Sequence, residues 1–450
     1  ASQIKTLLAH PQVAPVIDED GLRELFYLGP GRTPGCGVFK GITELKPGEY
    51  ALLTRQGLSV RSYWSLEAKP FTDTPEQAVE QTRFLVTDAI RRQLVSDVPL
   101  CCFLSGGLDS SIISKVAADH YREQECQLTT FSVDYRDNEA YFQKSLFQPD
   151  ADTTYIERMQ RHIQSDHRSV VLSNVLLARA LPDAALARDL PGMADIDSSL
   201  LLFCREIKKQ FTVGVSGECA DEIFGGYPWY HQREMLMEET FPWSRSQAAR
   251  DAILKPGAIF GGAEYVRSRY QETVAKTDVL PEDTPLERRM RQMMRLNLDW
   301  FMQTLLDRKD RMSMACGLEV RVPFCDHRIV EYAYNMPWAI KALGGREKGV
   351  LRKAVEDLLP EEIVWRKKSP YPKTHHPLFV SGVTEQIRQI QQDPHSPLHE
   401  WIDWDGVEAI IQAPDGLKSP WYGQLMGGPQ VLAYLVQLDT WFRTFGVTVV

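Results

Sequence analysis

The residues best placed to do chemistry are gathered in Ser105-Gly-Gly-Leu-Asp-Ser-Ser111, directly after the apolar run Val98 to Leu104. That run has the length and the β-branched and aromatic members of a short buried strand. Past the glycines, Ile112, Ile113, Val116 and Ala117 recur at helical spacing. Strand, turn and helix in that order aim the unpaired N–H groups of a helix start beyond the carboxyl end of a strand, where they bind anions. Gly106 and Gly107 have no Cβ, which lets a phosphate approach the backbone. Ser105, Ser110 and Ser111 add hydroxyl donors. A carboxylate beside phosphates is repulsive unless a cation lies between them, so Asp109 implies Mg2+. The turn lacks the lysine of a G-x-x-x-x-G-K-S/T loop, which argues against ordinary γ-phosphoryl transfer.

A second cluster, Ser216-Gly-Glu-Cys-Ala-Asp-Glu-Ile-Phe-Gly-Gly-Tyr227, follows the apolar run Phe211 to Val215. Ser216 and Gly217 can offer backbone groups to a nucleotide. Glu218, Asp221 and Glu222 place three carboxylates in five residues. An acid-rich helix start is the plain reading of such a cluster. Paired with Asp109 at a neighbouring strand end, it supplies the second carboxylate of a Mg2+–phosphate site.

The elements that must position these residues are legible around them. Thr74-Pro75-Glu76 opens a helix with an apolar face of Val79, Phe84, Leu85, Ala89, Ile90 and Leu94. Gln127 to Val133 and Ser169 to Leu172 read as strands, Ile156 to Ile163 and Ser199 to Lys209 as helices. Strands alternating with helices imply a parallel sheet covered on both faces, with ligands beyond the carboxyl ends of the strands. Residues 1 to about 70 are rich in Gly and Pro, with strand pieces at Val38-Phe39, Tyr50 to Leu52 and Leu58 to Tyr63. A boundary follows near Lys69-Pro70. From about residue 230 the pattern is helical, with a stripe of Met290, Met294, Leu298, Phe301 and Leu305 that reads as core packing. Asp310, Arg311, Glu319 and Arg321 read as surface ion pairs, and Trp365 to Pro370 as a solvated loop.

The chain has 450 residues, 43% hydrophobic and 25% charged, enough for two or three domains of ordinary globular character. A net charge of −9 makes a nucleic-acid backbone a poor partner. No apolar run approaches the roughly 20 residues that span a bilayer, so no membrane partner is expected. None of the eight cysteines lies in a CxxC pair, so they read as reduced thiols of a cytoplasmic protein. No His/Cys cluster has zinc spacing, and His375-His376 reads as an exposed loop pair.

Ser105 to Ser111 resembles the pyrophosphate loop of the N-type ATP pyrophosphatases, which cleave ATP between the α and β phosphates. Four motifs in order, Ser105 to Ser111, Ser216 to Tyr227, Gly317-Leu-Glu-Val-Arg-Val-Pro-Phe324 and Arg366-Lys-Lys368, resemble the glutamine-dependent asparagine synthetases. Ser2-Gln-Ile-Lys-Thr-Leu-Leu8 is similar to a stretch late in that family's glutaminase domain. The resemblance implies an α/β fold: a doubly wound parallel sheet of the pyrophosphatase kind with a helical C-terminal extension, preceded by the β-rich tail of an N-terminal-nucleophile glutaminase domain. It divides the chain into a glutaminase remnant at 1–70 and a synthetase domain at 71–450, the latter an α/β core at 71–230 and a mostly helical part at 231–450.

By the same resemblance, Leu104, Ser105, Gly106, Gly107, Asp109, Ser110, Val133, Ser216, Gly217 and Tyr227 contact ATP. Asp109 and Asp221 hold Mg2+, Glu218 lies near the reacting carboxylate, Lys368 neutralises the phosphates, and Asp310, Glu319 and Arg321 support the site. The implied reaction adenylates the aspartate side chain, releases pyrophosphate, and lets ammonia attack the acyl-adenylate while Glu218 takes a proton. Asp189 to Asp197 is a candidate aspartate loop. The family's glutaminase uses an N-terminal cysteine, whereas this chain starts with Ala1 and its first cysteine is Cys36. The expectation is that the catalytic glutaminase half is supplied in cis or in trans, that this polypeptide alone uses ammonia and not glutamine, and that it can form a homodimer. Two other readings stand beside this one. A β-lactam-synthetase-like enzyme would act on another acid, though such relatives tend to carry Tyr at the position of Glu218. A nucleotide-sensing protein would bind ATP without turnover.

Overall fold

The computed structural model describes residues 1–137, 140, 152–245, 247–369, 371, 374, 376–417 and 419–450. Five strands, β1 (Leu100–Phe103), β2 (Thr129–Tyr135), β3 (Asp166–Leu172), β4 (Val213–Val215) and β5 (Glu319–Arg321), form one sheet. Every pairing is parallel and the order is β3-β2-β1-β4-β5. This is the doubly wound α/β arrangement, and its order reverses direction between β1 and β4. Ligands bind at that switch point, beyond the carboxyl ends of the two strands. Both clusters singled out in the sequence begin there.

The alternation along β1 explains how the sheet is covered. Leu100 and Cys102 point to one face, where they meet Ile112 and Ile113 of α2 (Leu108–Glu123) and Val86 and Ile90 of α1 (Pro75–Gln93). Cys101 and Phe103 point to the other, against Leu200, Phe203 and Cys204 of α4 (Asp195–Lys208). α1 starts on a capping box between Thr74 and Gln77, with Pro75 in its first turn. Phe84, expected on its apolar face, is instead exposed. All eight cysteines are free, and burial pushes the Cys101 thiol up to about 12, so it acts as a small apolar side chain. α3 (Thr153–Ile163) lies between β2 and β3 in the chain and packs on α2.

From Pro285 to Met314 the chain is one continuous helix with a π-turn at Asn297–Met302. Met290, Met294, Leu298 and Phe301 are buried on it as packing residues.

The N-terminal segment departs from the sequence reading in one respect. Val38 and Phe39 are buried loop residues, not a strand, although Glu49–Thr54 and Gly57–Ser62 do pair as an antiparallel hairpin. Helical turns at Ile4–Leu8 and Glu19–Leu28 lie among these strands. Val16–Ile17 pairs in parallel with Thr448–Val449 at the opposite end of the chain. Ile17, Leu25, Phe26 and Phe39 share one core with Leu435, Trp441 and Phe442 of the C-terminal helix Gly428–Phe445. No described helix is long and apolar enough to cross a membrane.

Candidate functional site

Beyond β1 and β4 the chain encloses a cavity of about 230 Å3. Leu104, Ser105, Gly107, Asp109, Ser110, Val133, Ser216, Gly217, Glu218, Asp221, Tyr227 and Lys368 all line it. The phosphate turn is held from within: the Ser110 hydroxyl is 3.0 Å from that of Ser105, donates to Gly107 O and accepts from Ser105 N. Ser216 N donates to Arg321 O at 2.9 Å, which ties the second loop to β5. The two loops touch, since a Cβ on Gly217 would lie 2.8 Å from Ser110 N.

Gly106 stands where α3 fills the space a side chain would take. Its φ is +69°, and a Cβ there would lie 2.7 Å from Tyr155 Cβ and 2.8 Å from Ile156 N. A glycine here serves the turn's conformation and lets α3 pack against it. A Cβ on Gly107 would meet only Ser105 Oγ at 3.4 Å, leaving that backbone open to a ligand.

Asp109 and Asp221 come from separate loops and meet at one ammonium. Lys348 Nζ is 2.7 Å from each carboxylate, and Lys368 Nζ is 2.5 Å from Asp221. Burial works against charge on Asp221, yet Lys348 and Lys368 together hold its carboxyl well below the usual range. Burial raises that of Asp109, with Lys348 opposing. Burial also opposes the Lys348 charge, but the two aspartates outweigh it and raise its pKa. Lys348 itself sits at φ +54°, a left-handed conformation unusual for a side-chain-bearing residue and typical of strained functional positions.

On the far side of the cavity Glu218 Oε1 accepts from Arg308 at 3.0 Å and lies 3.1 Å from Lys309 Nζ. Its Oε2 is buried with no hydrogen-bond partner among the described residues. The Tyr227 hydroxyl donates to Glu222, its ring stacks on Trp229, and Lys368 Nζ lies 4.6 Å from its centroid. Burial and the neighbouring Asp221 push the Glu222 carboxyl up to about 7. Arg366 packs 3.9 Å from the Tyr155 centroid, pairs with Asp152 and donates to Ser105 O, so Arg366 to Ser369 is part of the cavity's wall, not a solvated loop.

Several expectations fall elsewhere. Asp310, Glu319 and Arg321 lie outside the cavity and make the plain ion pairs Arg311–Asp310 and Arg321–Glu319. Asp310 lies on the helix Gln303–Met314, Glu319 and Arg321 lie on the edge strand β5, and of the three only the Arg321 carbonyl bonds to a loop of the site. The candidate aspartate loop is spent on the fold. Asp189 accepts from Ile4 N and pairs with Lys5, Asp197 pairs with Arg188 and accepts from Met193 N, and Asp195 accepts from Gln430. Of that loop only Met193 lines the cavity. His376 is buried and caps the helix Pro377–Gln392, while His375 lies outside the described residues.

Sequence reasoning missed Arg308, Lys309 and Lys348. The first two had a signal. Adding three and four to Leu305 carries the Phe301-Leu305 stripe onto Arg308 and Lys309. Lys348 had none, because a single lysine before a short helix has no periodic context.

The family model for asparagine synthase matches residues 81–443, and that for the glutamine amidotransferase domain matches residues 1–64. The chain is 49% identical to the glutamine-hydrolyzing asparagine synthetase 3 of Bacillus subtilis, over 100% of this chain and 73% of that protein. It is 28% identical to the glutamine-hydrolyzing asparagine synthetase 1 of the same organism, over 82% of this chain and 61% of that protein. A mouse asparagine synthetase matches 79% of this chain at 25% identity. Three of the four motifs line one switch-point cavity, the fourth is tied to it through the Arg321 carbonyl, and this chain belongs to the asparagine synthase family.

Proposed function

We propose that this chain makes asparagine by adenylating the side-chain carboxylate of aspartate with ATP and passing the acyl group to ammonia. The observation that carries the reading is the convergence, on one cavity, of the phosphate turn, Asp109, Asp221, Lys348 and Lys368 at one end and Glu218 at the other. The open backbone at Gly107 and the hydroxyls of Ser105 and Ser110 bind phosphate oxygens. Lys348 and Lys368 neutralise the charge that grows on the departing pyrophosphate. Asp109 and Asp221 are hard oxygen donors aimed at one point, which the Lys348 ammonium fills at 2.7 Å from each, so a divalent cation held by both would take that ammonium's place. Mg2+ held there would add Lewis-acid stabilisation of the phosphate oxygens.

Arg308 and Lys309 sit at the other end, where an anionic substrate carboxylate needs a counter-charge. They also hold Glu218 by one oxygen. The other oxygen, Oε2, is left to accept a proton as ammonia becomes an amide nitrogen. The site excludes water with Phe103, Phe131 and Phe203.

The test is ATP–pyrophosphate exchange across a panel of carboxylic acids, followed by separation of nucleotide products. Exchange dependent on aspartate, with AMP released, is expected. Exchange with a different acid alone, or ADP as the aspartate-dependent product, would overturn the reading.

A further inference from the structure

Four polar side chains lie side by side on β2 and β3. Thr130 and Ser132 are two residues apart on β2 and so share a face of the sheet. His167 of β3 stands in register with Thr130. The Thr130 hydroxyl lies 3.0 Å from His167 Nδ1 and 3.0 Å from the Ser165 hydroxyl. The Ser132 hydroxyl lies 3.0 Å from His167 Nε2. Thr130, Ser132 and Ser165 are all buried. Burial lowers the His167 pKa despite the neighbouring Asp166, so the ring is uncharged near neutrality, with one N–H donor and one acceptor nitrogen. Both nitrogens are engaged, which fixes the ring and the hydroxyls on either side of it.

Of this row only Ser132 lines the cavity. His167 is the one hydrogen-bond partner of its hydroxyl among the described residues, and the rest of the hydroxyl's capacity is left for a ligand. The phosphate turn follows β1 and Glu218 follows β4, so the nucleoside part of ATP is left the space over β2, on the other side of β1. There Leu104, Val133 and Ile156 give the cavity an apolar wall for the faces of a base. Ser132, one residue deeper in the strand than Val133, gives a polar group for its edge. The ribose lies nearest the phosphates, so the edge of adenine that carries the amino group goes deepest.

We propose that Ser132 reads the amino-bearing edge of the adenine base, and that His167, which does not touch the nucleotide, is the positioning residue that holds the Ser132 hydroxyl for that contact. The inference rests on the reading of this cavity as an ATP site. In inosine triphosphate a carbonyl replaces the amino group and the adjacent ring nitrogen carries a hydrogen. Donor and acceptor on that edge are then exchanged. A hydroxyl pinned by His167 presents one fixed arrangement and suits one base only, whereas a free hydroxyl turns to suit either.

Titration calorimetry of the intact chain with the magnesium salts of ATP and inosine triphosphate tests this. The parent is expected to bind ATP more tightly, and His167→Phe to lower that preference about 10-fold, the share of one hydrogen bond. Ser132→Ala should lower it equally, and the double variant no further, since His167 acts through Ser132. His167→Gln, whose amide reaches the position of Nε2, keeps the preference. His167→Asn, whose amide reaches only the position of Nδ1, loses it, and it replaces His167→Phe if that chain does not fold. A parent without preference, an unchanged preference in the His167→Phe and His167→Asn chains, or additive losses in the double variant each overturn the proposal. A parent that binds neither nucleotide overturns the ATP reading and the proposal with it. A parent that prefers ATP but shows no aspartate-dependent exchange overturns the assigned reaction alone, and the variants still decide the role of His167.

Discussion

Lys348 lets two buried carboxylates face each other across a ligand site. The sequence gives Asp109 a metal ion and ATP as partners; in the structure it also accepts two hydrogen bonds from Lys348, at 2.7 and 2.8 Å. Breaking a buried ion pair by removing one member leaves an uncompensated charge and costs about 3–5 kcal/mol. Lys348→Met is therefore expected to lower stability by about that amount in urea unfolding, and Asp109→Asn to affect folding as well as turnover. Lys368 differs: it reaches Asp221 from the cavity wall, and Lys348 remains on that carboxylate when it is removed. Lys368→Ala should lower kcat about 10²–10³-fold with little change in KM for ATP. Near-parent kcat would remove it from the transition state. Glutamate, aspartate and glycine positions around the phosphate turn were legible because their spacing is local and bounded by apolar strands. The cations were not, because each is recruited by a carboxylate far away in the chain.

The elements carry their own constraints. Gly106 lets α3 pack on the phosphate turn with nothing between, so Gly106→Ala drives a methyl into Tyr155 and into the backbone of Ile156. With the added left-handed strain, a loss of about 1–3 kcal/mol is expected, read as a lower Tm together with a raised KM for ATP as the turn moves. The short helix Trp338–Lys341 poses a second problem. The Lys341 ammonium is buried against Met294 Sδ, and burial, aided by the nearby Arg291 charge, takes its pKa down to about 7. A base whose folded value is depressed binds fewer protons than it does in the unfolded chain. Stability should therefore rise with pH between about 7 and 10.5, by up to about 1.4 kcal/mol per pH unit. Lys341→Met should flatten that slope and raise stability at neutral pH; an unchanged slope would show that the amine is charged in the folded protein. α1 through α4 and the strands between them were readable because each repeats a 3.6- or 2-residue period. β5 was not, since three residues at a sheet edge are too few to show one.

At the scale of the whole molecule, the change in sequence character near Lys69-Pro70 is not a change of core. The N-terminal segment is bound to the far end of the chain by Phe39 against Trp441 at 5.2 Å between centroids and by the Tyr434 hydroxyl donating to Leu25 O at 2.7 Å. It also reaches toward the site: Lys5 pairs with Asp189 and Arg188 donates to Pro30 O, beside the loop that brings Met193 to the cavity. None of this could be read from residues 1–70 alone, because their apolar partners lie hundreds of positions away. If that segment were an independent remnant, a chain of residues 70–450 would melt like the full one. The packing argues otherwise. Ile17, Leu22, Leu25, Phe26, Leu28, Val38 and Phe39 are all at most 5% exposed. Each such side chain contributes about 1.5–3 kcal/mol by burial, and their loss together matches or exceeds the roughly 5–15 kcal/mol by which a folded domain is stable. The truncated chain is therefore expected to show no cooperative thermal transition by circular dichroism and to expose apolar surface to a hydrophobic dye. The full chain should melt in a single step. A fragment that keeps a sharp transition and aspartate-dependent exchange would show that the synthetase half holds its shape without the segment packed on its last helix.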